Sequence, residues 1–196
     1  MKLQLLLLSR RTSIAVAATA AALVAASAGT ASAATCPPPP TSVKPFVPWN
    51  DSADYVLTTG GSFEAGDPSW ALSGGATVIA DNAPNALDPR THARALALPA
   101  GATATSACVT APHIVGIVRF WVRSASPGAQ LKVEILVKGG VYQAGTITAG
   151  TAWNPSPMLH SNAPDYKGAV TYQVRMTAIG GTFTVDDVYF DPFSSK

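Results

Sequence analysis

Thr182-Phe183-Thr184-Val185-Asp186-Asp187-Val188-Tyr189-Phe190-Asp191-Pro192-Phe193 decides the fold. Apolar and polar residues alternate through most of it with the two-residue period of a strand that buries one face. Pro192 has no N–H for a sheet ladder and stops it. Its counterpart is expected at Gly60-Gly61-Ser62-Phe63-Glu64-Ala65-Gly66, some 120 residues earlier. The two stretches read as the last and first strands of one β-sandwich.

Between them, strand-like runs recur with turn residues in between, and no segment shows a convincing helical period. Runs 69–73 and 76–80 flank Gly74-Gly75 and predict a hairpin. Segment 81–91 holds two Pro, two Asn and two Asp and reads as a loop. Runs 93–98 and 102–110 follow, separated by Pro99-Ala100-Gly101, and then the stronger run 114–124. Runs 131–138 and 141–148 flank Gly139-Gly140, a second predicted hairpin. After a Pro- and Asn-containing connection over 149–168, run 169–178, the turn Gly180-Gly181 and the closing strand complete about nine antiparallel strands. That spacing predicts an all-β jelly-roll or Greek-key sandwich over 60–193, long enough to bury about two thirds of its unfolded surface.

Alternation assigns faces. Val118, Phe120 and Val122 oppose Arg119, Trp121 and Arg123 in phase. Leu131, Val133, Ile135 and Val137 alternate with Lys132, Glu134, Leu136 and Lys138, and Val170, Tyr172, Val174 and Met176 with Thr171, Gln173, Arg175 and Thr177. Each run has one core face and one polar face. If the three share a sheet, its outer face carries Arg119, Trp121, Arg123, Lys132, Glu134, Gln173 and Arg175.

Residues 1–33 read as a secretory signal peptide. Lys2, Arg10 and Arg11 form a positive start, 14–29 is an uncharged Ala-rich run, and Ala31-Ser32-Ala33 fits a small-x-small cleavage site. The apolar run is too short and too alanine-rich to span roughly 30 Å of hydrocarbon. The residues after Arg10-Arg11 fit a twin-arginine signal poorly, so the general secretory route is expected. Cleavage removes three of 13 basic residues and none of 11 acidic ones, leaving 10 against 11, a net charge of −1. Nothing in that balance points to nucleic acid, and no basic amphipathic helix points to a membrane surface. The mature chain is expected to be secreted, without a membrane span, and monomeric.

The two cysteines, Cys36 and Cys108, are an even pair in an exported chain and predict a disulfide. Lipid modification of Cys36 is the alternative, but Ala33-Ala34-Thr35 lacks the Leu and small residue of a bacterial lipobox. Closing a loop of about 70 residues contributes roughly 4 kcal/mol in the chain-entropy model. Segment 34–59, opening with Cys36-Pro37-Pro38-Pro39-Pro40, reads as an extended Pro-rich arm. The bridge, together with Phe46, Val47 and Trp49, argues that it docks on the sandwich. Trp49 reads either as packing there or as a sugar-stacking platform.

Gly61-Ser62-Phe63-Glu64, then Trp70 and Ser73-Gly74-Gly75-Ala76, resemble the opening of galactose-binding-like jelly rolls, including secreted carbohydrate-binding modules. His92-Ala93-Arg94-Ala95-Leu96-Ala97-Leu98 is similar to their second motif, and Val185-Asp186-Asp187-Val188-Tyr189 to their closing strand. Leu98-Pro99-Ala100-Gly101, Trp153-Asn154-Pro155 and the closing Asp-Asp-Val-Tyr-x-Asp-Pro also resemble a group of secreted actinobacterial proteins of uncharacterised function. The resemblance covers about 130 residues and is more specific for fold than for function. It implies a structural calcium ion held by Glu64 and Asp187, with Asp186 as a further candidate. Calcium takes six to eight oxygens, so carboxylates plus loop carbonyls suffice. Neighbouring strand residues face opposite ways, so Asp186 and Asp187 share one ion only if the strand bulges. Without metal, the same carboxylates would bond turn backbone.

Trp121, flanked by Arg119 and Arg123, reads as a sugar platform, because an aromatic ring stacks on the C–H face of a sugar while guanidinium groups bond its hydroxyls. Trp153, Tyr142 and Tyr166, on or near loops, would extend it. The competing reading has Trp121 covered by the Trp153 loop or the arm. No catalytic centre is expected. His92, His113 and His160 are scattered, and His-Glu-x-x-His, Gly-x-Ser-x-Gly and phosphate-cradling motifs are missing from the sequence. A glycosidase needs two carboxylates at a set separation, whereas Glu134 beside Lys132 reads as a solvated pair. The sequence therefore predicts a non-catalytic binding domain for a polysaccharide or cell-wall polymer, with Arg119, Trp121, Arg123 and Trp153 at its site. The alternative is a structural or protein-interaction domain of the cell envelope.

Overall fold

The computed structural model describes residues 36–64, 69–84, 92–112, 116–191 and 193. The expected leader over 1–33, Ala65 and Gly66, most of the 81–91 loop, His113 and Pro192 lie outside them. Residues Thr35–Lys196 form one compact unit.

A single 3-10 turn, Val47–Trp49, precedes thirteen strands among the described residues. They are β1 (Val56–Leu57), β2 (Ala71–Ser73), β3 (Thr77–Ala80), β4 (Arg94–Leu98), β5 (Thr103–Thr105), β6 (Val109–Ala111), β7 (Ile117–Ser124), β8 (Gln130–Val137), β9 (Gly140–Ile147), β10 (Asn154–Pro155), β11 (Leu159–His160), β12 (Val170–Ile179) and β13 (Phe183–Asp191). One sheet of seven strands runs β10-β7-β13-β4-β3, with β1 continuing beside β13 and β11 beside β7. The other, of six, runs β2-β5-β12-β8-β9, with β6 beside β12. All pairings are antiparallel, and the chain is an all-β jelly-roll sandwich.

The inner faces follow the alternation. Val118, Phe120 and Val122 of β7 meet Leu131, Val133 and Ile135 of β8 and Tyr172, Val174 and Met176 of β12 in the main core. Phe183, Val185, Val188 and Phe190 of β13 join them. The β8–β9 hairpin forms as predicted.

Three expectations are corrected. Gly60–Glu64 is a turn, not the first strand; the strand that pairs with β13 is β1, through Val56↔Phe190 and Leu57↔Tyr189. The turn still binds β13, since Val188 donates to the Gly61 carbonyl at 3.0 Å. Next, β2 and β3 make no hairpin: Gly74-Gly75 carries the chain from one sheet to the other, with both glycines at positive φ. A Cβ on Gly74 would come within 2.9 Å of the Ala102 Cα, so the crossing also needs its bare backbone. Finally, β7 lies in the seven-stranded sheet while β8 and β12 lie in the six-stranded one. The polar faces of the three strands therefore point to opposite sides of the sandwich.

The Pro-rich arm is docked. A disulfide joins Cys36 and Cys108 with Cα atoms 5.3 Å apart. Thr110 then binds the arm twice, its N–H to the Pro37 carbonyl at 2.7 Å and its hydroxyl to the Cys36 carbonyl at 3.0 Å. From there the arm reaches the seven-stranded sheet, pairs Val43 with Tyr55, and places Phe46 on that sheet's outer face. β1 falls within 34–59, so the sheet begins before residue 60.

Candidate functional site

Arg119, Trp121 and Arg123 do share the outward face of β7, but the arm covers two of them. Trp121 is 1% exposed, in a second core with Phe46, Tyr55, Ile117 and Tyr189. Phe46 packs edge-on against Tyr55 and Tyr189 at 5.1 and 5.6 Å, and Trp49 packs edge-on against Trp121 at 4.8 Å. An indole so enclosed presents no face to a sugar, which corrects the open platform expected at Trp121.

Arg119, 6% exposed, is a structural clamp. Its Nη1 donates to Asp51 Oδ2 at 2.6 Å, and its Nε and Nη2 donate to the Ser156 carbonyl at 3.1 and 3.0 Å. Its guanidinium lies 4.2 Å from the Phe46 ring centre. Tyr55 donates to the same Asp51 oxygen at 2.7 Å, and the Ala53 N–H donates to Oδ1 at 3.1 Å. Burial opposes charge on Asp51, but the bonds from Tyr55, Arg119 and Ala53 outweigh it and hold the carboxyl below its ordinary range. Burial and the Asp51 charge push the Tyr55 phenol well up. The expected role of Arg119 in ligand contact is corrected accordingly, since all three nitrogens serve the arm and the 156 segment.

Arg123 and Trp153 remain accessible. The Arg123 side chain is 38% exposed, lies over the half-buried Trp153 ring at 5.1 Å, and pairs with Asp81. Trp49 is 37% exposed. Because Trp121 and Arg123 are two residues apart on one strand face, about 6.8 Å, Trp49 and Trp153 sit over adjacent positions. Two partly open indoles with a guanidinium and a carboxylate thus rim the covered face.

The outward face of the six-stranded sheet is open and polar. Glu134 accepts from Arg175 Nε at 2.9 Å and pairs with Lys132 at 3.0 Å. Burial opposes its charge, yet Arg175 and Lys132 outweigh that and keep its carboxyl below the usual range. Gln173 on the same face donates to the Ser106 carbonyl at 2.8 Å.

Glu64 and Asp187 meet in the gap on one side of β13 where β1 ends and β4 begins. β13 carries one extra residue relative to β7 between Asp186 and Tyr189, and Asp187 adopts φ 45°. This bulge resets the alternation, so Val185 and Val188 both face the main core. Asp186 points outward and accepts from the Ala83 and Asp187 N–H groups at 2.9 and 2.8 Å. Glu64 Oε1 accepts from the Ala93 and Arg94 N–H groups at 2.9 and 2.8 Å. Asp187 is 0% exposed, neither of its oxygens has a hydrogen-bond donor among the described residues, and Oδ1 lies 3.6 Å from His92 Nδ1. Burial, and then the Glu64 charge, push the Asp187 carboxyl up to about 7. Burial and the Asp187 charge do the same to Asp186, also to about 7. Among the described residues no cluster of three or more His, Cys, Asp or Glu side chains is placed to hold a metal.

Sequence reasoning missed Asp51, Asp81 and His92 as partners of these groups. Asp51 and Asp81 are lone polar residues in irregular segments, with no periodicity to assign them a face. His92 directly precedes a strand-like run, and only the β13 bulge brings Asp187 to it.

No protein-family model matches this sequence, and no curated protein matches it. Solved structures do resemble the fold, several of them carbohydrate-binding modules and others enzymes of carbohydrate chemistry such as a family two carbohydrate esterase from Cellvibrio japonicus. One is TmCBM61 in complex with β-1,4-galactotriose, at TM-score 0.45 and 17% identity over 68% of this chain and 96% of that one. Another is the module CBM6cm-2 of Cellvibrio mixtus lichenase 5A in complex with cellotriose, at TM-score 0.43 and 13% identity over 70% and 96%. A third is the CBM22-1 xylan-binding domain of Paenibacillus barcinonensis Xyn10C, at TM-score 0.43 and 10% identity over 71% and 94%. At these identities no residue role is carried from them.

Proposed function

We propose that this chain is a secreted, non-catalytic binding domain for a glycan or cell-wall polymer, with its contact surface at the rim formed by Trp49, Trp153, Arg123 and Asp81. The observation that supports it is the pair of partly open indoles, Trp49 and Trp153, packed over neighbouring positions of β7 beside a guanidinium and a carboxylate. Ring faces take the C–H surface of a sugar and the charged groups take its hydroxyls. Arg123 and Trp153 keep their place in the site, while Arg119 and Trp121 support it from below.

The same domain is proposed to hold one structural calcium ion through Asp187 and Glu64. Two buried oxygens of Asp187 without donors, next to a second carboxylate, are hard-oxygen chemistry that suits calcium. Backbone carbonyls and water would complete the set. The ion would neutralise two crowded carboxylates and fasten the turn after β1 to the β13 bulge.

A structural or protein-interaction role in the cell envelope is the second reading, favoured by the burial of Trp121 and Arg119 under the arm. Retention of the chain on insoluble polysaccharides and purified cell wall, with calcium present, separates the two. Retention that is lost when Trp49 and Trp153 are both changed to Ala supports the rim. No retention on any polymer contradicts glycan binding and leaves the second reading.

A further inference from the structure

The margin of the six-stranded sheet carries a separate feature. β9 is an edge strand of that sheet. Its Tyr142 pairs with Ile135, a core residue, so the tyrosine starts on the core side of the sheet. There it is only half-buried, because the sandwich ends at this edge. The Asn162 N–H donates to the Gln143 carbonyl at 3.1 Å and lays the following segment along β9. That segment brings Tyr166, also half-buried, to Tyr142, and their hydroxyls bond at 2.9 Å.

The Tyr142 phenol is seated on bare backbone. A Cβ on Gly140 would come within 2.6 Å of its ring and 2.7 Å of its hydroxyl oxygen. Gly139 needs glycine for its φ of 75°, but Gly140 is not at positive φ. The second glycine of the turn therefore makes room for the phenol.

Lys138 completes the cluster. Its φ of 47° is the left-handed conformation that the first position of a primed hairpin turn requires. Asn, Asp or Gly fill that position readily, whereas a long side chain does so at a cost. The exposed Lys138 sends its Nζ to 4.6 Å from the centre of the Tyr166 ring. Among the described residues no carboxylate lies within ion-pair distance of it, although Asp165 and Lys167, both exposed, flank Tyr166 in the chain.

This cluster is rich in donors and short of acceptor charge. The bond between the phenols uses one hydroxyl proton and leaves the other free. The bond with Tyr142 holds the Tyr166 phenol above its ordinary range, so it keeps its proton at neutral pH. The ammonium has three N–H groups, and a π face satisfies none of them fully. An anion with two oxygens, accepting at about 2.8 Å from each donor, bridges the ammonium and the free phenol proton.

We propose that Lys138, Tyr166 and Tyr142 bind the singly charged, two-oxygen anion of an acidic polymer, a uronate carboxylate or a phosphodiester. The site goes beyond the rim at Trp153 and does not rest on it, because the rim belongs to the other sheet.

Calorimetric titration of the chain with trigalacturonate, its methyl ester and the phosphodiester glycerophosphoglycerol tests it. At least one of the two anions is expected to bind with a Kd of about 1 mM or tighter, and the uncharged ester about tenfold more weakly or worse. Binding of trigalacturonate alone assigns the carboxylate, and binding of glycerophosphoglycerol alone the phosphodiester. Lys138→Asn suits the turn, so it is expected to hold or raise the Tm while weakening the anion about tenfold. Tyr142→Phe with Tyr166→Phe keeps both rings and is expected to melt near the parent and weaken the anion by a similar factor. Trp153→Ala is expected to leave the titration unchanged, which separates this site from the rim. The proposal is overturned if neither anion binds, if the ester binds as tightly as the anions, if either the Lys138 variant or the double Phe variant binds like the parent, or if Trp153→Ala abolishes the heat.

Discussion

The two outer faces of the sandwich carry similar residues and meet different fates. On β7, Arg119 and Trp121 are sealed beneath Phe46, Trp49 and Asp51. On β8 and β12, Lys132 and Arg175 alternate in the same way yet stay half-exposed, flanking the buried carboxylate of Glu134. An arginine on the first face is a fixed internal clamp; on the second it is a half-exposed partner of a buried carboxylate. Strand alternation says which residues leave the main core. It does not say whether they reach water, because that depends on a segment some 70 residues away in sequence.

The comparison breaks most readily at the arm. Arg119→Ala leaves Asp51 buried without its guanidinium and is expected to cost about 3–5 kcal/mol in urea unfolding. Phe46→Ala, which removes the ring that packs on Tyr55, Tyr189 and Trp121, is expected to cost a similar 3–5 kcal/mol or so. A loss below about 1 kcal/mol in both would mean the arm is only loosely seated.

Removing the tether is next. Replacing Cys36 and Cys108 with Ser is expected to cost about 2–5 kcal/mol. An unchanged unfolding midpoint would show that Phe46 and Asp51 alone secure the arm.

The aspartates of the β13 bulge give a pH signature. In the folded chain Asp186 and Asp187 titrate at about 7. The unfolded value is about 3.9, so between those values the folded chain holds more protons and their contribution to stability falls as pH rises. With chelator present, Asp187→Asn is therefore expected to match the parent near pH 4 and to melt several degrees above it near pH 8. Calcium is expected to reverse that order at pH 8 by stabilising the parent alone. A chelated parent no less stable than Asp187→Asn at pH 8 would place the burden on other groups.

The smallest effect belongs to the open face. Lys132→Ala is expected to change stability by under about 1 kcal/mol, since Arg175 still serves Glu134 and the pair is partly solvated. A loss as large as that of Arg119→Ala would erase the contrast between the faces.

Much of the fold was legible because it rests on local pattern. The runs that became β7, β8, β9, β12 and β13 alternate clearly, and Gly139 marks the hairpin that forms. Sheet membership was not legible: Gly74-Gly75 looks the same whether the chain turns back in one sheet or crosses to the other. The bulge at Asp187 was signalled only by two adjacent aspartates. At the candidate site, Arg123 and Trp153 were found by residue type, whereas Asp51 and Asp81 lie in irregular segments where pattern carries no direction.

The most direct test sets Trp121→Phe against Trp153→Ala, each measured for stability by urea unfolding and for retention on a polysaccharide that holds the parent chain. Trp121→Phe is expected to lose stability and keep retention, because that ring serves the arm. Trp153→Ala is expected to keep stability and lose retention. A folded Trp121→Phe chain that no longer binds, beside a Trp153→Ala chain that still does, would contradict the account and return the site to the face beneath the arm.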